Sequence, residues 1–306
     1  MTAAPRFHHV SVLLGAVIDA LQPRSGGRYL DGTLGGAGHA AAMLEASSPD
    51  GRLVGIDRDP AARAAAQARL ASFGERATII AGTYADMADL AGQHGPFDGI
   101  LLDIGVSSPQ LDDASRGFSF QADGPLDMRM DPTTGESAAE LLEYISESDL
   151  TQLLRTVGEE PRARRIARAI IAGRPWSRTV VLAEAVAKAS GYRNSRTHPA
   201  TRTFQAIRVA VNGELDQLRR GLDAAIDLLS PGGRLAVISF HSLEDRIVKH
   251  HFRALAAVGT PRDAYGHPIT PPRLKLVTRK PIRGATADSG NPRARSASLR
   301  VAARLP

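Results

Sequence analysis

Near-continuous apolar runs separated by helix-length stretches constrain this chain more than any other feature. Tyr29–Asp31, Leu53–Asp57, Ala77–Ala81, Gly99–Ile104 and Arg234–Phe240 are mostly apolar at successive positions. That is the pattern of parallel strands buried on both faces. The intervening segments read as helices, among them the alanine-rich Ala61–Leu70. This alternation predicts a doubly wound α/β sheet. In such sheets ligands gather outside the carboxyl ends of the strands, and Asp31, Asp57 and Asp103 fall at those ends. Leu229–Arg234 reads as a turn feeding the fifth strand. Leu274–Thr278 and Ser298–Ala303 read as two further strands, joined by a loop rich in Gly, Pro and Ser.

Asp31 opens directly into Gly32-Thr33-Leu34-Gly35-Gly36-Ala37-Gly38-His39, and Ala40–Glu45 then begins a helix. Glycines let the backbone turn sharply and approach a ligand that a Cβ would push away. The helix start offers unpaired N–H groups to polar or anionic atoms. About twenty residues on, Asp57 ends the second strand, where an acid holds a ribose diol in nucleotide-binding sheets. These features predict an adenosine-containing cofactor, with a purely structural glycine turn as the plain alternative. A dinucleotide needs its G-x-G-x-x-G at the strand end, so that the pyrophosphate meets the helix. The frame that fits here, Gly36 to Ala41, begins five residues after Asp31. The order of acid first and glycine loop second suits a phosphate-free cofactor, its amino-acid end along the loop and its ribose on Asp57. S-adenosylmethionine is such a molecule.

At 306 residues the chain exceeds one comfortable domain and suggests a core plus an insertion. The regular beat breaks between Leu111 and Arg208, where Ala138–Tyr144, Glu147–Val157, Pro161–Ala172 and Val180–Ser190 read as helices. The expected division is a discontinuous core, 1–110 and 209–306, around a helical insertion, 111–208. Arg162, Arg164, Arg165 and Arg168 line one of these helices, as a solvated face or an RNA-facing one. The formal net charge is +6, and residues 273–306 carry nine Arg or Lys against the single acid Asp288. A tail this one-sided favours phosphate contacts, although charged strand edges also block aggregation.

With no cysteine, disulfides, thiolate metal sites and a cysteine nucleophile are excluded, which fits the expected cytoplasmic location. The nine histidines show no ligand spacing, so no metal site is expected. The apolar run Val10–Leu21 is interrupted by Asp19 and preceded only by Arg6. It reads as an amphipathic helix rather than a signal peptide, and no stretch reaches membrane-spanning length.

A second informative segment runs from Phe97 through Asp103 to Ser107, Ser108, Pro109 and Gln110. A carboxylate at that strand tip can accept bonds from a cofactor or a substrate amine. An exocyclic base amine is a poor nucleophile because its lone pair is delocalised into the ring. Acceptors that hold its N–H groups and aim the lone pair at a methyl carbon are what help. Asp103, Ser107 and Ser108 are the candidates for that catalytic work. An ordinary turn with Asp and Ser capping backbone groups is the alternative.

The chain resembles the ribosomal small-subunit RNA methyltransferase H family along nearly its whole length. The shared motifs are Asp31 to His39, Gly55 to Asp59, Leu102 to Asp112, Pro125 to Met130, His198 to Arg208 and Ser239 to Arg246. The resemblance implies a class I S-adenosylmethionine-dependent methyltransferase fold, a Rossmann-like doubly wound sheet with an inserted helical domain. It implies methylation of the N4 amine of a cytidine in the decoding region of 16S ribosomal RNA, with that RNA or the small ribosomal subunit as partner. Ala37, Gly38 and His39 would line the methionine end of the cofactor, Asp57 its ribose and Tyr84 its adenine. Asp103 and Gln110 match the remaining contacts, and the insertion would help recognise RNA. One departure lies near the N-terminus, where His9 to Leu14 match but Ala16 replaces a usual glutamate. His198 and His241 face two readings, RNA contact or a bond to their own loops; Trp176 reads as core. The rivals are a methyltransferase acting on another RNA, a protein or a small molecule, a nicotinamide enzyme, and a non-enzymatic RNA-binding protein. The sequence leaves a homodimer open.

Overall fold

The computed structural model describes residues 11–191, 197–261, 263, 265–266 and 268–306. Arg6, His9 and Val10, which enter the sequence reading, lie outside the described residues. The helices in chain order are α1 (Leu14–Leu21), α2 (Gly38–Ala46), α3 (Pro60–Leu70), α4 (Met87–Ala91), α5 (Ser108–Asp112), α6 (Ala138–Tyr144) and α7 (Glu147–Thr156). They continue as α8 (Ala163–Ala172), α9 (Thr179–Ser190), α10 (Thr201–Asn212), α11 (Glu214–Leu228), α12 (Ser242–Leu255) and α13 (Gly284–Ala287). The strands are β1 (Arg28–Asp31), β2 (Arg52–Asp57), β3 (Ala77–Ala81), β4 (Phe97–Asp103), β5 (Leu229–Ser239), β6 (Leu274–Leu276), β7 (Ile282–Arg283) and β8 (Ser298–Arg304). None of the described helices is long and apolar enough to cross a membrane.

The chain divides into two compact units, one formed by Met1–Gly105 with Asp216–Pro306, the other by Val106–Leu215. The first unit holds one sheet in the order β3-β2-β1-β4-β5-β8-β6, with β7 also paired to β8. The strands from β3 to β5 run parallel, and β8 returns antiparallel to β5. Winding from β1 goes outward through β2 to β3; the chain then re-enters on the other side of β1 as β4. The β1/β4 pair is therefore the switch point of the sheet, where such folds open a ligand crevice.

Successive strand residues feed opposite faces. Tyr29, Leu53 and Leu101 pack in one core with Met43, Leu44 and Leu70 from α2 and α3. Leu30, Val54, Ile100 and Leu102 pack in the other with Leu218, Leu222, Val248 and Phe252 from α11 and α12. Burial on both faces is why these strands carry unbroken apolar runs. The expected turn at Leu229–Arg234 instead lies inside β5. Pairing jumps from Phe97↔Leu229 to Gly99↔Arg234, so the extra residues form a bulge. Gly232, at φ +80°, supplies the left-handed residue that bulge needs.

The second unit is helical, with Leu142, Leu150, Leu154, Ile166, Ile170, Leu182, Val186, Phe204 and Ile207 in its core. Trp176 is buried there and its indole N–H donates to the Ile170 carbonyl at 2.8 Å. His198 stacks on Phe120 with ring centroids 4.6 Å apart, and its Nδ1 accepts from the Ala200 N–H at 3.2 Å. Of the α8 arginines, Arg162 donates to the Ser190 carbonyl and Arg168 lies 3.7 Å from Glu147, while Arg164 and Arg165 remain exposed.

Asn212 ends α10 as a clamp. Its Oδ1 accepts from the Met130 N–H at 2.8 Å and its Nδ2 donates to the Met128 carbonyl at 2.7 Å. Asn212→Ala leaves both backbone groups buried without this partner. It is expected to cost about 2 kcal/mol of stability, read from denaturant midpoints. A midpoint unchanged from wild type would show that water or relaxation replaces the clamp.

Candidate active site

The acids at the strand tips are joined by the glycine loop. Asp31 is buried, and its Oδ1 accepts from the Thr33 N–H at 3.1 Å and from the Thr33 hydroxyl at 3.4 Å. The same hydroxyl oxygen accepts from the Asp103 N–H at 2.6 Å, tying the tip of β1 to the tip of β4. Between them, Gly32 donates to the Leu101 carbonyl at 2.9 Å. A Cβ on Gly32 would come within 2.6 Å of the Leu102 side chain and 2.9 Å of Tyr84 Cβ, so only glycine fits that approach.

Asp57 holds the loop from the other side. Its Oδ2 accepts from the Gly35 N–H at 2.7 Å and its Oδ1 from the Asp59 N–H at 2.8 Å. Each oxygen keeps a second lone pair for a further donor. Ala37 then caps α2 in the left-handed region, at φ 57°, with its side chain fully buried. A non-glycine residue there costs about 1–2 kcal/mol, the kind of local strain that gathers at ligand clamps. Gly38 opens α2, and a Cβ on it would meet Ser11 Oγ at 2.0 Å. His39 follows, its Nε2 bonded to the Val12 carbonyl at 2.9 Å. That acceptor assigns the ring proton to Nε2 in the neutral imidazole and leaves Nδ1 facing Asp103 Oδ2 at 3.8 Å. Tyr84 is partly buried, its ring against Gly221 of α11.

Electrostatically the crevice is acidic, with Arg58 offsetting the charge of Asp57 only in part. Burial, with Asp31 and Glu244 adding repulsion, pushes the Asp103 carboxyl up to about 8. Burial, opposed by the Thr33 N–H and reinforced by Asp57, pushes Asp31 up to about 7. Asp57 is also raised, again mainly by burial. Asp103 keeps a quarter of its side chain exposed, yet its Oδ1 is buried without a hydrogen-bond partner among the described residues. No Lys or Arg side chain forms an ion pair with any of these three among the described residues, where ion-pair contacts reduce to His39 beside Asp103.

The tip of β5 adds a pair that the sequence reading left without a joint role. Glu244 Oε1 lies 2.8 Å from His241 Nε2, and its Oε2 accepts from the Phe240 N–H at 2.9 Å and the His241 N–H at 3.3 Å. The spacing of a glutamate three residues after the helix cap was the available signal. Ser107, Ser108 and Gln110 belong to the second unit. There Gln110 Oε1 accepts from the Ser107 N–H at 2.9 Å, and Ser107 Oγ accepts from the Gln110 N–H at 3.4 Å, a reciprocal cap on α5. Both side chains thus serve a helix start, and Ser108 is buried beside them in sequence. Among the described residues no group of His, Asp and Glu could hold a metal ion.

The sequence profile of the MraW methylase family matches residues 6–305. The chain belongs to the MraW methylase family. Within reach of this family lies the ribosomal RNA small subunit methyltransferase H of Trichlorobacter lovleyi, 52% identical over 309 residues, covering 98% of this chain and 99% of that protein. The protein of the same name from Thermomicrobium roseum is 51% identical, covering 97% of this chain and 94% of its own. That of Synechococcus elongatus is 49% identical, covering 98% and 95%. In this MraW methylase the crevice acids lie within the matched region, as do the whole second unit and all but the outermost residues of the first.

The raised acids set a pH signature for stability. An Asp31 that titrates near 7 when folded and near 3.8 when unfolded holds a proton over that interval which the unfolded chain has lost. Its contribution is therefore fully present below about 4 and disappears as pH rises through about 7. Asp31→Asn, a permanent mimic of the protonated form, is expected to gain thermal stability relative to wild type as pH rises from about 4 to about 7, and to hold that advantage at pH 8.5. Parallel curves for the two proteins would show that Asp31 does not titrate in this window.

Proposed function

We propose that the protein transfers a methyl group from S-adenosylmethionine to the N4 amine of a cytidine in the decoding region of 16S ribosomal RNA. Full-length similarity to small-subunit RNA methyltransferases supports the reaction class. The observation that carries the cofactor is the acidic switch-point crevice itself. The raised Asp31, Asp57 and Asp103 carboxyls show a crevice that disfavours further negative charge; it suits a ligand that brings a sulfonium, an ammonium and a ribose diol, with no phosphate. The orphaned Asp103 Oδ1 is an acceptor waiting for a donor or a cation.

When bound, that cofactor supplies an electrophilic methyl carbon. The chain's own residues bind and orient. The loop backbone at Ala37, Gly38 and His39 would hold the methionine end, the spare lone pairs of Asp57 the ribose hydroxyls, and the partly buried Tyr84 the adenine. Gln110 is the remaining proposed cofactor contact. Asp103 would accept an amine N–H, steering the lone pair and stabilising the nitrogen as it becomes positive. Ser107 and Ser108 are proposed to assist there. A proton acceptor is needed only after the bond has formed. The second unit is proposed to recognise RNA and the cytoplasm to be the site of action.

Small ribosomal subunits and naked 16S RNA incubated with methyl-labelled cofactor should yield one labelled nucleotide, N4-methylcytidine, in the decoding region. Label in another RNA, in protein or in small molecules would overturn the reading in favour of the corresponding alternative.

A further inference from the structure

Helix α12 buries Glu244, Val248 and Phe252, spaced four apart, and so turns Arg246, Lys249, His250 and Arg253 outward at spacings of three and four. Lys249 and Arg253 line a small groove together with Thr278, Arg279 and Arg300, over a floor that includes Phe252. The groove belongs wholly to the first unit, beside β6, the edge strand of the sheet.

Its cations divide into two kinds. Arg300 is spent, bonded by two nitrogens to the Asp245 carboxylate at 2.7 and 3.0 Å. Nearby on the chain, Arg273 is likewise spent on Asp227, at 2.5 Å. Lys249, Arg253 and Arg279 have no acidic partner among the described residues, although all three are exposed and line one groove. Thr278 closes the inner wall, its hydroxyl oxygen accepting from the Val301 N–H at 2.9 Å. A solvated edge needs no convergence. Three like charges brought to one concavity from α12 and the segment after β6 repel each other until an anion enters. Two arginine forks and a lysine point charge match the tetrahedral oxygens of phosphate, and their spread along the groove suits a chain of phosphates.

We propose that this groove holds the sugar–phosphate backbone of the RNA substrate, as a docking site on the core unit additional to the helical one. The inference rests on the reading that the substrate is RNA. Phosphate contacts position a nucleic acid without reading its sequence. The groove therefore sets affinity and register, while the crevice sets chemistry.

The test compares Arg253→Gln and Arg279→Gln with Arg52→Gln, an equal loss of charge at the exposed start of β2. Binding of a labelled 16S RNA fragment is followed by anisotropy from low to moderate salt. Calorimetry with S-adenosylhomocysteine and a melting curve report the integrity of each variant. Each groove variant is expected to weaken RNA binding about 3- to 10-fold and to lower the log K against log salt slope by about 0.7–0.9. Cofactor binding should be unchanged, and Arg52→Gln should leave the slope at its wild-type value. Groove variants with the wild-type slope, or an equal drop in Arg52→Gln, would overturn the proposal. If wild-type protein meanwhile methylates small-subunit RNA, only the groove falls; a wild-type protein that binds no RNA removes both readings.

Discussion

Asp103→Ala is expected to slow single-turnover methyl transfer about 100-fold while changing RNA affinity by no more than about twofold. The reason is the combination of exposure and frustration at one side chain. Its backbone N–H is locked to Thr33, which fixes the strand tip, while Oδ1 has no hydrogen-bond partner among the described residues. Repulsion from Asp31 and Glu244 helps push its carboxyl up to about 8, so near neutral pH much of it is protonated in the cofactor-free protein. A positive charge arriving in the crevice favours the ionised form, the form that accepts an amine N–H and balances a developing cation. Two further outcomes follow. The wild-type rate should climb with pH as Asp103 ionises, and Asp103→Asn should flatten that climb. The alanine variant should melt no lower than wild type, since it removes a charge that burial disfavours. An unchanged single-turnover rate would take Asp103 out of the mechanism.

The sheet was legible because its strands are buried on both faces. Each run such as Gly99–Leu102 therefore had to be free of polar side chains, and the acids that break the runs mark the strand ends. What escaped has equally physical reasons. Helix α10 buries Thr203 alongside Phe204, Ala206, Ile207 and Val209, a broad face whose threonine blurs the apolar period. The bulge in β5 looked like a turn because Pro231, Gly232 and Gly233 are turn residues, and only pairing with β4 reveals it as strand. In the site, the positions of Asp31 and Asp103 could be read locally. Their coupling could not, because it arises from pairing between β1 and β4, which are far apart in sequence. The cap formed by Ser107 and Gln110 was visible in the spacing as the ordinary-turn alternative, and the structure uses it.

Asp57→Ala is expected to weaken binding of S-adenosylmethionine and S-adenosylhomocysteine by about 100-fold, through two separate losses. The first is the acceptor proposed for the ribose hydroxyls. The second lies within the protein, where the Gly35 and Asp59 N–H groups lose the oxygens that hold the glycine loop against β2. A loop no longer held must be ordered on binding, and that cost is taken from affinity. Asp57→Asn separates the two contributions. Its amide keeps one acceptor oxygen for one of the two N–H groups and presents its NH₂ to the other, so the loop is only half restored. The asparagine variant should therefore bind between wild type and alanine in calorimetry. RNA affinity should remain near wild type in both, because Asp57 sits at the tip of β2 and the groove cations on α12 and after β6. Equal loss of cofactor and RNA binding would mean that Asp57 supports the whole unit rather than a ribose, and the cofactor assignment would lose its anchor.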